Sequence, residues 1–263
     1  MIDPNQSFTD GEAYERLMGR WSRLTGEQFL EWLDVPARQN WLDVGCRNGA
    51  FTAEILSRTS PVSVTGIDPS QAQLSHAHAR HARANATFQI GDAQALPYAN
   101  GQFDVAAMAL VISFVPDPLK AVSEMARVVR PGGWVATYMW DIPGGGLPVQ
   151  PIYAAMRSMG LNPPLPPNSA ASSQTMLRQL WQAAGLVSLE ATAIRIPVSY
   201  SNFDDFWDSN AVPIGPQGKF MQSLSPAALM ELRQILQRQL TVEAGGRVAY
   251  ESFSNAISGR VPL

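Results

Sequence analysis

With a single cysteine, Cys46, among 263 residues, the chain cannot close a disulfide on itself. Charge is scarce too: Asp, Glu, Lys and Arg make up 16%, with a net charge of −3. That leaves no basic stripe of the kind that tracks a phosphate backbone, so nucleic acid is not expected as a main partner. No apolar run approaches the roughly 20 residues that cross a bilayer, so no membrane insertion is expected. The opening stretch MIDPNQSFTDGEAYER lacks a basic-then-apolar leader pattern. The three histidines, His76, His78 and His81, share one predicted helix without an i,i+4 pair, so no metal site is expected. These absences lead to the expectation of a soluble protein of a reducing cytoplasm; they leave oligomeric state open. Apolar residues, by contrast, reach 46%, enough for a sizeable core. The length suits one large domain, or one domain with an appended lobe.

Helical spacing of Tyr14, Leu17, Met18 and Trp21, continued by Phe29, Leu30 and Leu33, predicts a helical cap over 1–39, ended by Pro36. Strand and helix patterns then alternate. NWLDVG (40–45), VSVTGID (62–68), ATFQIGD (86–92), FDVAAMALVISF (103–114) and WVATYMWD (134–141) read as strands. The stretches 49–59, 70–84 and 116–130 read as helices, the last closed by PGG. This alternation predicts a doubly wound α/β fold: a mostly parallel, seven-stranded Rossmann-like sheet with helices on both faces. Residues 40–141 form its core. Residues 142–263 complete the sheet with an antiparallel last strand (246–261), and a helical lobe is inserted at about 200–240. The stretches IPGGGLPVQP and LNPPLPPNSAASS read as loops.

Candidate site residues sit where strands end, because open parallel sheets bind ligands in the crevice at their carboxyl edge. WLDVGCRNGAF places Gly45 and Gly49 around a strand-to-helix turn, where a backbone without Cβ admits a ligand and a helix N-terminus faces it. Asp43 would repel a pyrophosphate but suits an ammonium group; a second reading has it bonding loop amides. Asp68 in GIDPS lies 23 residues beyond Gly45, where a carboxylate can accept both hydroxyls of a ribose. Asp92 in IGDAQALP can accept from an adenine amino group or cap the following turn. Three successive strands thus end in acids whose order matches adenosine joined to an amino acid.

The stretch 40–141 resembles a class I S-adenosylmethionine-dependent methyltransferase of the small-molecule type related to quinone-biosynthesis methyltransferases. Five segments carry the resemblance, in order: WLDVGCRNGAF, GIDPS, GDAQALPY, FDVAAMALVISFVPDP and MARVVRPGGWV. The resemblance implies that Gly45, Cys46, Asn48 and Gly49 line the methionine part of S-adenosylmethionine. It implies Asp68, Pro69 and Gln73 at the ribose, Asp92 and Ala93 at the adenine, and Leu110 near the sulfonium. Arg20 would meet the cofactor carboxylate and Tyr14 would help close the site; as residues alone they read equally as a surface ion-pair partner and a core side chain.

This chain departs from that family at Arg47 and Asn48, where glycine and threonine are usual. Arg47 is expected to crowd the cofactor unless its φ is ordinary and its side chain turns outward. The implied function is methyl transfer to a small organic acceptor, with Phe114, Trp140, Phe206, Trp207 and Asn210 lining the acceptor pocket. No catalytic base is assigned. Two alternatives remain: a non-catalytic cofactor-binding or regulatory protein on the same fold, and an NAD(P)-dependent oxidoreductase. Against the latter, position 47 is arginine where G-x-G-x-x-G needs glycine.

Overall fold

A computed structural model describes residues 18–82, 85–213 and 215–263. Seven strands form one sheet in the order β3-β2-β1-β4-β5-β7-β6. They are β1 (Asn40–Val44), β2 (Ser63–Asp68), β3 (Ala86–Ile90), β4 (Phe103–Ala109), β5 (Val129–Trp140), β6 (Val187–Tyr200) and β7 (Val248–Arg260). β1 pairs in parallel with β2 and β4, β2 with β3, and β4 with β5, whereas β7 runs antiparallel to both β5 and β6. Strand order reverses between β1 and β4. That reversal opens a crevice above their carboxyl ends, and it fixes where a ligand can sit.

The central strands are buried on both faces, which is why they read as apolar runs: Trp41, Leu42, Val44, Val105, Ala106 and Ala107 are all fully buried. Helices cover the two faces: α1 (Arg20–Leu33), α2 (Ala50–Arg58), α3 (Gln71–Arg80), α4 (Pro118–Val128), α5 (Gln150–Ser158), α6 (Gln174–Ala183), α7 (Phe203–Asn210), α8 (Gly215–Gln222) and α9 (Pro226–Gln239). Their starts follow side-chain capping. Ser70, Asp117, Ser173, Asn202 and Ser225 each accept from a backbone N–H one turn on, and Pro118 and Pro226 occupy first helical positions.

Helix α1 runs unbroken through Gly26. There the missing side chain permits close packing: a Cβ would lie 3.1 Å from the Tyr138 hydroxyl. Phe29 stacks within 4.7 Å of Tyr138, which fixes α1 over the end of β5 and beside the crevice. The sequence differs from the structure in three local respects. The segment between the two stretches read as loops, given no element from the sequence, forms α5, held by buried Ile152, Tyr153 and Met156. PGG does not end α4; it lies within a register shift of β5, where Val129 pairs with Phe103 and Trp134 with Val105. The inserted segment after β6 includes α8, despite two glycines and a proline.

Candidate functional site

The β1–α2 turn is held in a left-handed backbone at three places: Gly45 (φ +76°), Arg47 (φ +51°) and Gly49 (φ +75°). Gly45 and Cys46 donate their N–H groups to the Ile67 carbonyl at 2.8 and 3.1 Å, tying the turn to the end of β2. Glycine is required at both ends for packing as well as for φ. A Cβ on Gly45 would sit 2.7 Å from Val111, and one on Gly49 2.9 Å from His81. His81 lies behind the turn, its Nε2 2.8 Å from the Gly49 carbonyl, which it can reach only as donor.

Two cavities meet at this turn. One, about 240 Å³, is lined by Cys46, Asn48, Phe51, Leu110 and Tyr138, with Ser22 and Arg23 from α1 and Arg80 from α3 at its polar rim. The other, about 350 Å³, runs across the ends of β2 and β3, with Asp68, Pro69, Gln73, Asp92, Ala93 and Phe114 on its walls. Gly45 and Arg47 belong to both, so the two form one groove at the strand-order reversal. Its size lies within the roughly 300–1,000 Å³ of small-molecule sites.

A third cavity, about 100 Å³, adjoins the first through Leu110 and Arg47. Its walls are Met18, Phe114, Met139, Trp140, Ile142, Leu147, Val149, Tyr153, Pro166 and the start of α8. Arg47 therefore borders all three spaces, and its guanidinium carbon lies 6.0 Å from the Phe114 ring centroid. Leu110 faces it from the end of β4, also left-handed at φ +59°. Two non-glycine residues in this sparsely populated region, on either side of one junction, are the kind of backbone strain that gathers at working sites.

The three strand-end acids differ in access. Asp43 is fully buried; Thr52 Oγ1 donates to its Oδ2 at 2.6 Å, and its Oδ1 has no hydrogen-bond partner. Burial pushes its pKa up to about 7. The expectation that it faces a ligand ammonium is corrected: it lines none of the three cavities and supports the turn from beneath. Asp68 is 6% exposed. It accepts from the Arg47 and Ser70 amides at 3.0 and 2.9 Å, and burial raises its pKa despite those bonds. Asp92 is exposed and accepts from the Gln94 backbone and side chain. Cys46 is buried, and burial, with the Asp43 and Asp68 carboxylates nearby, pushes its thiol above the ordinary range, which disfavours the thiolate.

Other expectations are redrawn by position. Arg20 lies over the Trp21 and Tyr200 rings at 4.0 and 4.8 Å, and it is not on the groove; Arg23, almost one turn further along α1, is. Gly49 shapes the turn without lining a cavity. Arg47 has a left-handed φ, not an ordinary one, and its side chain stays at the junction. Phe114 and Trp140 line the apolar cavity; Phe206, Trp207 and Asn210 do not. Phe206 packs edge-on against Tyr200, Asn210 donates to the Tyr200 hydroxyl and the Phe206 carbonyl, and Trp207 lies under Arg233. Tyr14 lies outside the described residues. Arg23, Arg80, Tyr138, Met139 and Tyr153 were missed by sequence reasoning, since no spacing rule separates a groove-facing arginine from any other surface cation.

Residues 42–137 match the family model described as a methyltransferase domain. Among curated proteins, the chain is 35% identical over 116 residues to 2-methyl-6-phytyl-1,4-hydroquinone methyltransferase 2 of Oryza sativa subsp. japonica, covering 44% of this chain and 33% of that one. It is 33% identical over 136 residues to 27-O-demethylrifamycin SV methyltransferase of Amycolatopsis mediterranei, covering 50% and 47%. The chain thus spans less than half the length of these relatives. A solved Haemonchus contortus phosphoethanolamine N-methyltransferase 2, in complex with phosphomonomethylethanolamine and S-adenosylhomocysteine, shares the fold with a TM-score of 0.58 at 18% identity, over 96% of this chain and 57% of that one. A Bacillus halodurans structure aligns with a TM-score of 0.60 at 18% identity, over 90% and 99%.

Proposed function

We propose that this chain, which carries a methyltransferase domain over residues 42–137, transfers a methyl group from S-adenosylmethionine to a small organic acceptor. The observation that supports this best is the single groove with Asp68 and Asp92 at one end and Arg23 and Arg80 at the other. That donor set fits the group: carboxylates for ribose hydroxyls and an adenine amine, cations for an amino-acid carboxylate. Asp68 uses one lone pair per oxygen on the Arg47 and Ser70 amides, leaving others for hydroxyls. Glu54, already paired with Arg58, borders the same end of the groove and can take the ammonium.

When bound, S-adenosylmethionine supplies a methyl carbon already activated by the sulfonium charge. The chain's work is then to hold, align and keep water out. Leu110 and Arg47 stand where the groove opens into the apolar cavity, so an acceptor there reaches the groove between them. Trp140 and Met139 exclude water from the apolar cavity, and Phe114 stands with Arg47 at the junction, on the walls of both the cavity and the groove. The two relatives reported above are named for a hydroquinone and for a rifamycin, which agrees with a small-molecule acceptor here. The one buried cysteine agrees with a cytoplasmic setting. Among the described residues no helix is long and apolar enough to cross a membrane.

Calorimetric titration with S-adenosylhomocysteine and with NAD tests the reading. Binding of the first and not the second is expected; the reverse result would favour a nicotinamide enzyme. Binding of S-adenosylhomocysteine without methyl transfer to any acceptor would favour a non-catalytic protein.

A further inference from the structure

The turn between β1 and α2 is gripped from behind by a side chain that lines none of the three cavities. His81 takes the C-cap position of α3 and is 9% exposed. Its Nε2–H donates to the Gly49 carbonyl at 2.8 Å. The same carbonyl accepts from the Ala53 N–H at 3.0 Å, the first hydrogen bond of α2. The imidazole is itself held: its ring lies 5.6 Å from that of Phe88, which packs with Cys46, Leu74 and Ala77 in a small buried cluster. It also fills the space beside the Gly49 Cα, where a Cβ would come within 2.9 Å of it. His81 therefore sets the direction of the peptide between Gly49 and Ala50. A trans peptide is planar, with its C=O and N–H on opposite sides. With the carbonyl turned to His81, the Ala50 N–H faces the other way, where Asn48 Oδ1 accepts it at 3.3 Å. Asn48, Ala50 and Phe51 line the groove at the end that carries Arg23 and Glu54, whereas Asp68 and Asp92 stand at the other end.

We propose that His81 is a positioning residue for the amino-acid end of S-adenosylmethionine: by holding the Gly49 carbonyl it fixes the turn and the first N–H groups of α2 against the methionine arm. This deepens the methyltransferase reading and rests on it. The carboxylate of that arm suits a helix N-terminus, where backbone N–H groups and the dipole favour negative charge. A donor supplied by a different helix sets the turn before the ligand arrives, so binding has less ordering to impose. The adenosine end draws on Asp68 and Asp92 instead. Asp68 meets the turn at the Arg47 amide but is anchored by the Ser70 amide as well. His81 thus acts chiefly on one half of the ligand, although it touches neither half.

Calorimetric titration compares two ligands: S-adenosylhomocysteine, and 5′-methylthioadenosine, the same nucleoside thioether with a methyl group in place of the amino-acid arm. The proteins are wild type, His81→Gln, His81→Phe and His81→Ala, with urea unfolding of each so that affinities refer to folded protein. Gln keeps a side-chain N–H donor, Phe keeps a ring against Phe88 without the donor, and Ala removes both. Loss of the donor is expected to weaken S-adenosylhomocysteine roughly tenfold in His81→Phe, and further in His81→Ala, while methylthioadenosine changes by less than about threefold. His81→Gln should recover most of the S-adenosylhomocysteine affinity. Equal losses on both ligands would make His81 a plain packing residue and overturn the proposal. So would wild-type S-adenosylhomocysteine affinity in His81→Phe, or no recovery in His81→Gln. The Phe and Gln variants keep the space beside Gly49 filled, so the outcome does not depend on the alanine variant folding. A wild type that binds no methylthioadenosine leaves the decision to the contrast between Phe and Gln. If S-adenosylhomocysteine itself does not bind wild type, the methyltransferase reading falls and takes the proposal with it.

Discussion

Asp43 is a carboxylate with nowhere to go: sealed under the turn, bonded once to Thr52, and lifted by burial to a pKa of about 7. In the unfolded chain it titrates near ~4. Between those values the folded state holds more protons than the unfolded one, so stability falls as pH rises from about 4 to about 7 and levels off above. Thermal melts across that range should show this slope, and Asp43→Asn should flatten it, with Asp68, shifted the same way, supplying what remains. An unchanged slope would mean Asp43 is ionised and solvated. The two α1 arginines give a sharper contrast. Arg23→Ala should weaken S-adenosylhomocysteine by roughly 1 kcal/mol, allowing for its exposure. Arg20→Ala, whose side chain is spent on Trp21 and Tyr200, should leave affinity close to wild type. Equal effects on binding would undo the assignment. The sequence placed Asp68 and Asp92 because strand ends are recognisable. It misjudged Arg20 because a phase error of under one helical turn moves a side chain from the groove to an aromatic shelf.

At the scale of elements, the β1–α2 turn depends on glycines for two separate reasons. Gly45→Ala meets both an unfavourable φ and the Val111 side chain; Gly49→Ala meets the φ and His81. Each should cost about 1–3 kcal/mol of stability from backbone strain, with contact added, and should lower S-adenosylhomocysteine affinity. Urea unfolding with parallel titration measures both, and an alanine variant as stable as wild type would contradict the packing argument. The strands were legible because buried parallel strands are apolar throughout, and most helix starts because caps are single polar residues at fixed spacing. Helix α5 was hidden by flanking prolines and glycines. Helix α8 was hidden by its own glycines, one of which, Gly218, is demanded by contact: a Cβ there would run into the Val212 carbonyl. Tertiary packing set that helix against its propensity.

For the whole molecule, the strand reversal at β1 and β4 gathers residues from positions 19 to 138 into one groove, while the β7–β6 side supplies mass and closure. Stability and binding should therefore separate. Trp181 is fully buried beneath β5, donates to the Val135 carbonyl at 3.0 Å and lines none of the three cavities. Trp181→Ala should cost about 3–5 kcal/mol in urea unfolding, yet leave the affinity of the molecules that remain folded unchanged. A parallel loss of affinity would show that the crevice is coupled to the far side of the sheet. The acceptor was least legible of all, because its cavity is assembled from segments more than a hundred residues apart, Met18 to Gln217, and no local pattern announces it. The account rests on strand-end acids gripping an adenosyl group. It is tested most directly by calorimetric titration of S-adenosylhomocysteine into wild type and Asp68→Ala, with circular dichroism to show that both are folded. Wild type should bind at a one-to-one ratio, and Asp68→Ala roughly ten- to a hundredfold more weakly, the loss of hydrogen bonds to a charged acceptor. Wild-type affinity retained in folded Asp68→Ala would contradict it.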